Sequence, residues 1–223
     1  MPLGVNILRW LVIVSLLAGT LVVAKPDLDR MQSLAFSRYG QNATDLVGEW
    51  RAMIDDIQGL PDEQKLVNVN HFFNSKIRWV DDMQAWGQED YWATPLETMG
   101  NGEGDCEDFA IAKYATLILA GVDVNRLRIT YVKALMDGRN GNVYAAHMVL
   151  AYYAAPSADP MILDNLIRSV RPASSRKDLT PVYGFNSNGL WVGGAAAPAT
   201  TDPGAKLSRW RDVLQRAAAE GLG

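Results

Sequence analysis

Gly100-Asn101-Gly102-Glu103-Gly104-Asp105-Cys106-Glu107-Asp108-Phe109-Ala110 contains the sole cysteine among 223 residues. Three glycines precede the thiol. Four carboxylates, Glu103, Asp105, Glu107 and Asp108, lie within three positions of it. The run Phe109 to Ala120 that follows has helical composition and closes at Gly121. A glycine loop, a cysteine and a buried helix, in that order, form a setting in which a thiol becomes reactive. The N–H groups at a helix start carry partial positive charge and stabilise a thiolate. The alternative is a free cysteine packed as a small hydrophobe, which fits poorly with a collar of carboxylates. Asp105 is the expected N-cap of this helix, and Asp108 its reciprocal partner in a near capping box.

Upstream, Asn42-Ala43-Thr44-Asp45 offers a cap, and Leu46, Val47, Trp50, Met53, Ile54 and Ile57 follow at helical spacing. These predict an amphipathic helix over 45–58, ended by Gly59. Pro61-Asp62-Glu63 suits the first turn of a second helix with an apolar face of Leu66, Val69, Asn70, Phe73 and Ile77. Lys25 to Gly40 reads as a polar start with scattered apolar residues. Trp79, Trp86, Tyr91 and Trp92 read either as core or as one wall of a substrate groove beside Cys106. Pro95 to Met99 leads into the glycine loop as a short helical turn.

Downstream the period changes to two. Strands are expected over Asn125–Asp137, Val143–Tyr153 and Met161–Leu166, with a turn at 138–142 and a loop between Pro156 and Pro160. A further strand or hairpin falls in Tyr183–Gly193. An Ala/Pro/Thr linker follows, then a helix over Lys206–Ala219. Helices first and an antiparallel meander afterwards define an α+β chain.

Residues 1–24 stand apart. One cation, Arg9, precedes an apolar run ending at Val22-Val23-Ala24, the pattern of a secretory signal peptide or an uncleaved anchor. The remainder divides into one domain over 25–194 and a linker with a C-terminal helix over 195–223. The net charge is −4, with 21 cations against 25 carboxylates. That leaves no basic footprint, so no nucleic acid is expected as partner. A lone cysteine forms no internal disulfide, so export would leave a free thiol in an oxidising compartment.

There are two histidines. His71 sits mid-helix and reads as structural. His147 lies in Ala145-Ala146-His147-Met148-Val149-Leu150, a stretch otherwise built for burial, and a buried ring needs hydrogen-bond partners. Asp164 interrupts the next apolar strand in the same way. A thiol at a helix start, an imidazole on one strand and a carboxylate at its neighbour supply a nucleophile, a general base and an orienting acid. The order Cys106, His147, Asp164 along the chain is that of papain-like and transglutaminase-like enzymes.

The carboxylate collar opposes thiolate formation, and no Lys or Arg lies between Arg78 and Lys113. A hard cation with oxygen ligands would offset it, and Ca²⁺ suits an exported protein. Asp105 and Glu107 are the expected ligands, with Asp108 beside them. The alternative is that Asp105 only caps the helix while the glutamates face water.

Asp90-Tyr91-Trp92-Ala93-Thr94-Pro95, Gly104 to Tyr114, Ala146 to Leu150 and Leu163-Asp164-Asn165 together resemble the bacterial transglutaminase-like cysteine proteinases, the LapG family. The similarity spans about Trp50 to Arg171. It implies a papain/transglutaminase-like core with Cys106, His147 and Asp164 as triad and Asp105 and Glu107 at calcium positions. It also implies a periplasmic, Ca²⁺-dependent protease that cuts the N-terminal region of a large surface adhesin at a dialanine site. An inner-membrane cyclic-di-GMP receptor would sequester the enzyme, and biofilm attachment would be the process controlled. Two other readings stay open: a transglutaminase-type acyl transferase, and a non-catalytic calcium-binding module docking to a membrane receptor.

Overall fold

A computed structural model describes residues 25–138 and 141–223. The expected signal segment, 1–24, lies outside the described residues. Among those described, no helix is long and apolar enough to cross a membrane.

The polar start is a helix, α1 (Leu28–Tyr39), capped by Asp27, whose carboxylate accepts from Arg30 N at 2.9 Å. Only Met31 and Ala35, one turn apart, are buried in it. A face that narrow leaves little periodic signal. Gly40, at φ 86°, turns the chain directly into α2 (Gln41–Ile57), which therefore begins four residues before the expected Asp45. Its buried face is Ala43, Val47, Trp50, Ile54 and Ile57. Next comes α3 (Asp62–Lys76), which buries Leu66, Val69, Asn70 and Phe73.

The strand β1 (Arg78–Trp79) leaves α3 and leads to a short α4 (Asp82–Trp86) and α5 (Pro95–Asn101). Thr94 and Glu97 form a capping box at the start of α5. The two-residue β2 (Glu103–Gly104) runs parallel to β1, with Arg78 N donating to Gly102 O and Val80 N to Gly104 O. That pairing ties the glycine loop to the end of α3. α6 (Cys106–Leu119) then enters the core with ten of its fourteen residues buried, as expected of a helix whose apolar residues are spread over more than one face. Trp50 Nε1 donates to Thr116 Oγ1 at 2.8 Å, joining α2 to α6.

The sheet consists of β3 (Leu127–Gly138), β4 (Gly141–Tyr152), β5 (Met161–Leu163), β6 (Arg171–Pro172), β7 (Leu179–Phe185) and β8 (Leu190–Val192). Its order is β6-β5-β4-β3-β7-β8, antiparallel throughout. β3 and β4 pair without a shift from Leu127↔Tyr152 to Gly138↔Gly141. Ile129, Met148, Leu150, Leu163 and Phe185 belong to the main core with α6, while Val132, Val149, Ala151 and Ile162 form a smaller cluster. β5 is shorter than expected. It stops at Leu163 because Asp164 turns its carboxylate back onto Leu166 N–H, 3.0 Å away, closing a turn.

The C-terminal α7 (Ser208–Ala217) starts two residues later than expected and packs Trp210 and Val213 into the main core. Trp210 meets Tyr114 of α6 edge-on at 5.6 Å.

Candidate active site

Cys106 is the first residue of α6. Asp105 caps the helix, its Oδ1 accepting from Glu107 N at 3.3 Å, and Asp108 Oδ2 accepts from Asp105 N at 3.3 Å. Asp108 also accepts from Ala93 N (2.7 Å) and from Trp86 Nε1 (3.3 Å). It thus pins the approach to α5 and the end of α4 against the start of α6. Gly104 is required by this crowding, since a Cβ there would lie 2.7 Å from Asp108 Oδ2.

The thiol donates to Glu107 Oε2 at 3.0 Å. Burial pushes its pKa far up, the charges of Glu107 and Asp105 add to the rise, and the backbone N–H of Met148 works the other way. Alone, this environment holds Cys106 as a neutral thiol at physiological pH.

His147 and Asp164 come together. His147 Nε2 lies 2.9 Å from Asp164 Oδ1, with the residues 4% and 1% exposed. Asp164 Oδ2 accepts from Arg176 Nη2 at 2.8 Å, and Arg176 is itself held by Asp178. Burial alone would raise the Asp164 pKa. The hydrogen bond and charge of His147, then the Leu166 N–H and Arg176, hold it down at about 2. The aspartate is therefore ionised at neutral pH. A carboxylate only accepts, so His147 Nε2 carries the proton and Nδ1 is left as the basic nitrogen.

Behind the pair, Asn74 Nδ2 donates to Asp164 O (2.7 Å), while Asn74 Oδ1 and Asn70 Oδ1 accept from Lys113 Nζ at 2.7 and 2.8 Å. Lys113 is fully buried on the same helix as Cys106, seven residues on, and links that helix to α3 and to the turn carrying Asp164. Arg176 and the Lys113 network had no sequence signal, because neither residue stands near Asp164 in the chain.

Cys106, His147, Asp105 and Glu107 line one cavity of about 490 Å³, with Trp92, Tyr131 and Tyr183 as its aromatic wall. Tyr131 and Tyr183 stack at 5.3 Å. Of the four rings singled out in the sequence, only Trp92 lines this cavity. Trp86 bonds Asp108, Tyr91 bonds Glu97, and Trp79 is largely exposed. His71 is exposed on α3. A second cavity, of about 390 Å³, opens among Val132, Val149, Ile162 and Leu179; no carboxylate, histidine or thiol lines it.

The acidic groups crowd more closely than the sequence indicated. Ligand atoms of Asp105, Cys106 and Glu107 lie within 4.8 Å of one another, as do those of Asp82, Asp90 and Glu107, and those of Asp82, Asp105 and Asp108. Burial and mutual repulsion raise the pKa of Asp105 to about 10, of Asp108 to about 8 and of Asp82 to about 6. Among the described residues Asp82 Oδ1 is buried with no hydrogen-bond partner, while Oδ2 accepts from Tyr91 N. Arg209 reaches the cavity from α7 but is paired with Asp90. A buried carboxylate oxygen without a donor, facing others of like charge, fits a hard cation with oxygen ligands. Asp82 and Asp90 escaped the sequence reading because they precede Cys106 by more than a dozen positions.

An antiparallel sheet packed on a cysteine-bearing helix, with a histidine–aspartate pair in reach of the same cavity, defines a cysteine proteinase of the transglutaminase-like class. The chain belongs to the family of bacterial transglutaminase-like cysteine proteinases, whose model matches residues 31–178. It is similar to the solved structure of Legionella pneumophila LapG at 38% identity and a TM-score of 0.72, over 86% of this chain and 98% of that one. The EGTA-treated form of that protein matches at 37% identity, covering 86% and 98%, and the calcium-bound form at 37%, covering 85% and 98%, both with a TM-score of 0.72. No curated protein matches the chain.

Proposed function

We propose that this protein is a calcium-dependent, periplasmic cysteine endopeptidase that cleaves the N-terminal region of a large surface adhesin at a dialanine site, with Cys106, His147 and Asp164 as its triad. The observation that carries this reading is the buried His147–Asp164 pair, at 2.9 Å, in a cavity shared with a thiol at a helix start. Nδ1 of His147 takes the thiol proton, and the sulfur attacks the scissile carbonyl. The C–N bond breaks as the imidazolium returns that proton to the leaving amine, and water then hydrolyses the thioester. Asp164 holds the ring tautomer, and Arg176 holds Asp164.

Asp105 and Glu107, with Asp82, are the ligands proposed for Ca²⁺. Asp108 already accepts three N–H donors, so its part is to hold Asp105 in place. The ion would supply the positive charge that offsets the carboxylates around the thiol. Calcium-bound and EGTA-treated forms of the Legionella protein support the choice of ion. The apolar segment 10–24 supports export. The resemblance supports an inner-membrane cyclic-di-GMP receptor as the inhibitory partner and biofilm attachment as the controlled process.

The test is incubation with an adhesin N-terminal fragment, with and without an added primary amine. A cut beside the Ala-Ala pair, located by mass spectrometry, is expected. An amine-labelled or cross-linked product with no cleaved fragment would establish acyl transfer instead.

A further inference from the structure

Among the described residues, the outer edge of β4 from Val149 back to Gly141 has no strand beside it. β5 pairs only with Leu150, Ala151 and Tyr152, whereas β3 covers the other edge along the whole length of β4. Backbone groups of alternate residues in an antiparallel ladder point to opposite edges. Tyr153, one residue past β4, donates its N–H to Arg126 O on the β3 side at 2.7 Å, which fixes the parity. Met148, Ala146, Tyr144 and Asn142 present N–H and C=O groups to the open edge, and His147, Ala145 and Val143 present theirs to β3. No other element pairs with the outward groups among the described residues.

Exposed edges are normally blunted by charge, proline or a bulge, because they recruit other chains. Here Gly141 to Tyr152 contains no Lys, Arg, Asp, Glu or Pro, and its register with β3 has no bulge. Val143 and Tyr144 are 53% and 69% exposed. Tyr131 and Ala146 line both the thiol cavity and a shallow groove of about 480 Å³ that continues past Lys133, Tyr144 and Thr180. That groove lies over the sheet face toward β3 and β7, and the unguarded outer edge of β4 leads to the cavity that holds the sulfur.

We propose that the substrate protein binds as an added strand on this edge. An extended segment pairs its backbone with Ala146 and Tyr144, and the pairing lays the scissile carbonyl against Cys106. Main-chain bonds supply affinity, and alternate side chains of the segment point to opposite faces of the sheet. The inference rests on Cys106 as the nucleophile.

Tyr144→Pro removes one outward N–H without touching the ladder to β3, and Tyr144→Ala keeps it. The probe is a synthetic peptide with a central Ala-Ala pair, used in two readouts: KM with the active chain, and fluorescence anisotropy with the Cys106→Ala chain. Tyr144→Pro is expected to raise KM and Kd about tenfold, and Tyr144→Ala about threefold or less. N-methylation of the peptide one residue at a time is expected to weaken binding at every second position. Wild-type binding by Tyr144→Pro, or weakening without that alternation, overturns the proposal. Alternating binding without any Cys106-dependent cleavage would leave the edge and remove the protease reading. Cys106-dependent cleavage indifferent to Tyr144→Pro and to N-methylation would do the reverse.

Discussion

Asp164 shows how much one side chain is asked to do. Its carboxylate accepts from His147, Leu166 N–H and Arg176, and its backbone carbonyl from Asn74. It ends a strand, fixes a tautomer and carries a charge inside the protein. Asp164→Asn leaves one acceptor oxygen for His147 Nε2–H and Arg176 together, so one of them faces an N–H donor and the ring tautomer that the proposed base needs is no longer fixed. Turnover on an adhesin fragment should fall by about a hundredfold or more, with KM little changed. The same residue shapes acid stability. Its pKa is about 2 in the folded protein against an ordinary value of 3.8, so the folded state binds fewer protons between those values. Its contribution, on the order of 2 kcal/mol, is present above pH 3.8 and lost as pH falls toward 2. Denaturant melts across that window should show a steeper loss for the wild type than for Asp164→Asn.

Among the elements, the short helices matter more than their length implies. α5 delivers the glycine loop to Cys106, and its capping box rests on Thr94, which is fully buried and whose hydroxyl also donates to Glu220 Oε2 at 2.5 Å. Thr94→Ala removes a cap and leaves a buried carboxylate short of a donor. A loss of about 1–2 kcal/mol is expected in urea melts, with a matching fall in Tm. α6 was the most legible element in the chain. Its Asp105–Asp108 capping and its end at Leu119 follow from glycine, acidic and apolar signals that are all local. The paired strands β3 and β4 were legible for the same reason, since a period of two is a local property. α1 was not, because only two of its residues are buried. The stop of β5 at Leu163 was not, because it depends on where one carboxylate turns.

At the scale of the molecule, the two halves are fastened at the site. Helices supply the thiol and the carboxylate collar, and the sheet supplies the imidazole and the open edge. Asn74, itself held by Lys113, and Arg176 hold Asp164 from two sides. Sequence could single out Cys106, His147 and Asp164 as candidates, because a lone thiol, a histidine in an apolar strand and a carboxylate in another are each anomalous where they stand. It could not name Asp82, Arg176 or Arg209, which look like ordinary surface charges until the chain is folded.

The most direct measurement is the pH dependence of Cys106 alkylation by iodoacetamide, in calcium and in EGTA, for the wild type and for His147→Ala. Burial and the Glu107 and Asp105 carboxylates raise the thiol pKa, so alkylation in EGTA should be slow at neutral pH and rise only in alkali. In calcium the wild-type profile should move to lower pH, with a rate at pH 7 at least about tenfold higher, and His147→Ala should lose most of that gain. Profiles that coincide in calcium and EGTA, or a His147→Ala profile identical to the wild type in calcium, would contradict a thiol activated by that histidine beside a bound cation.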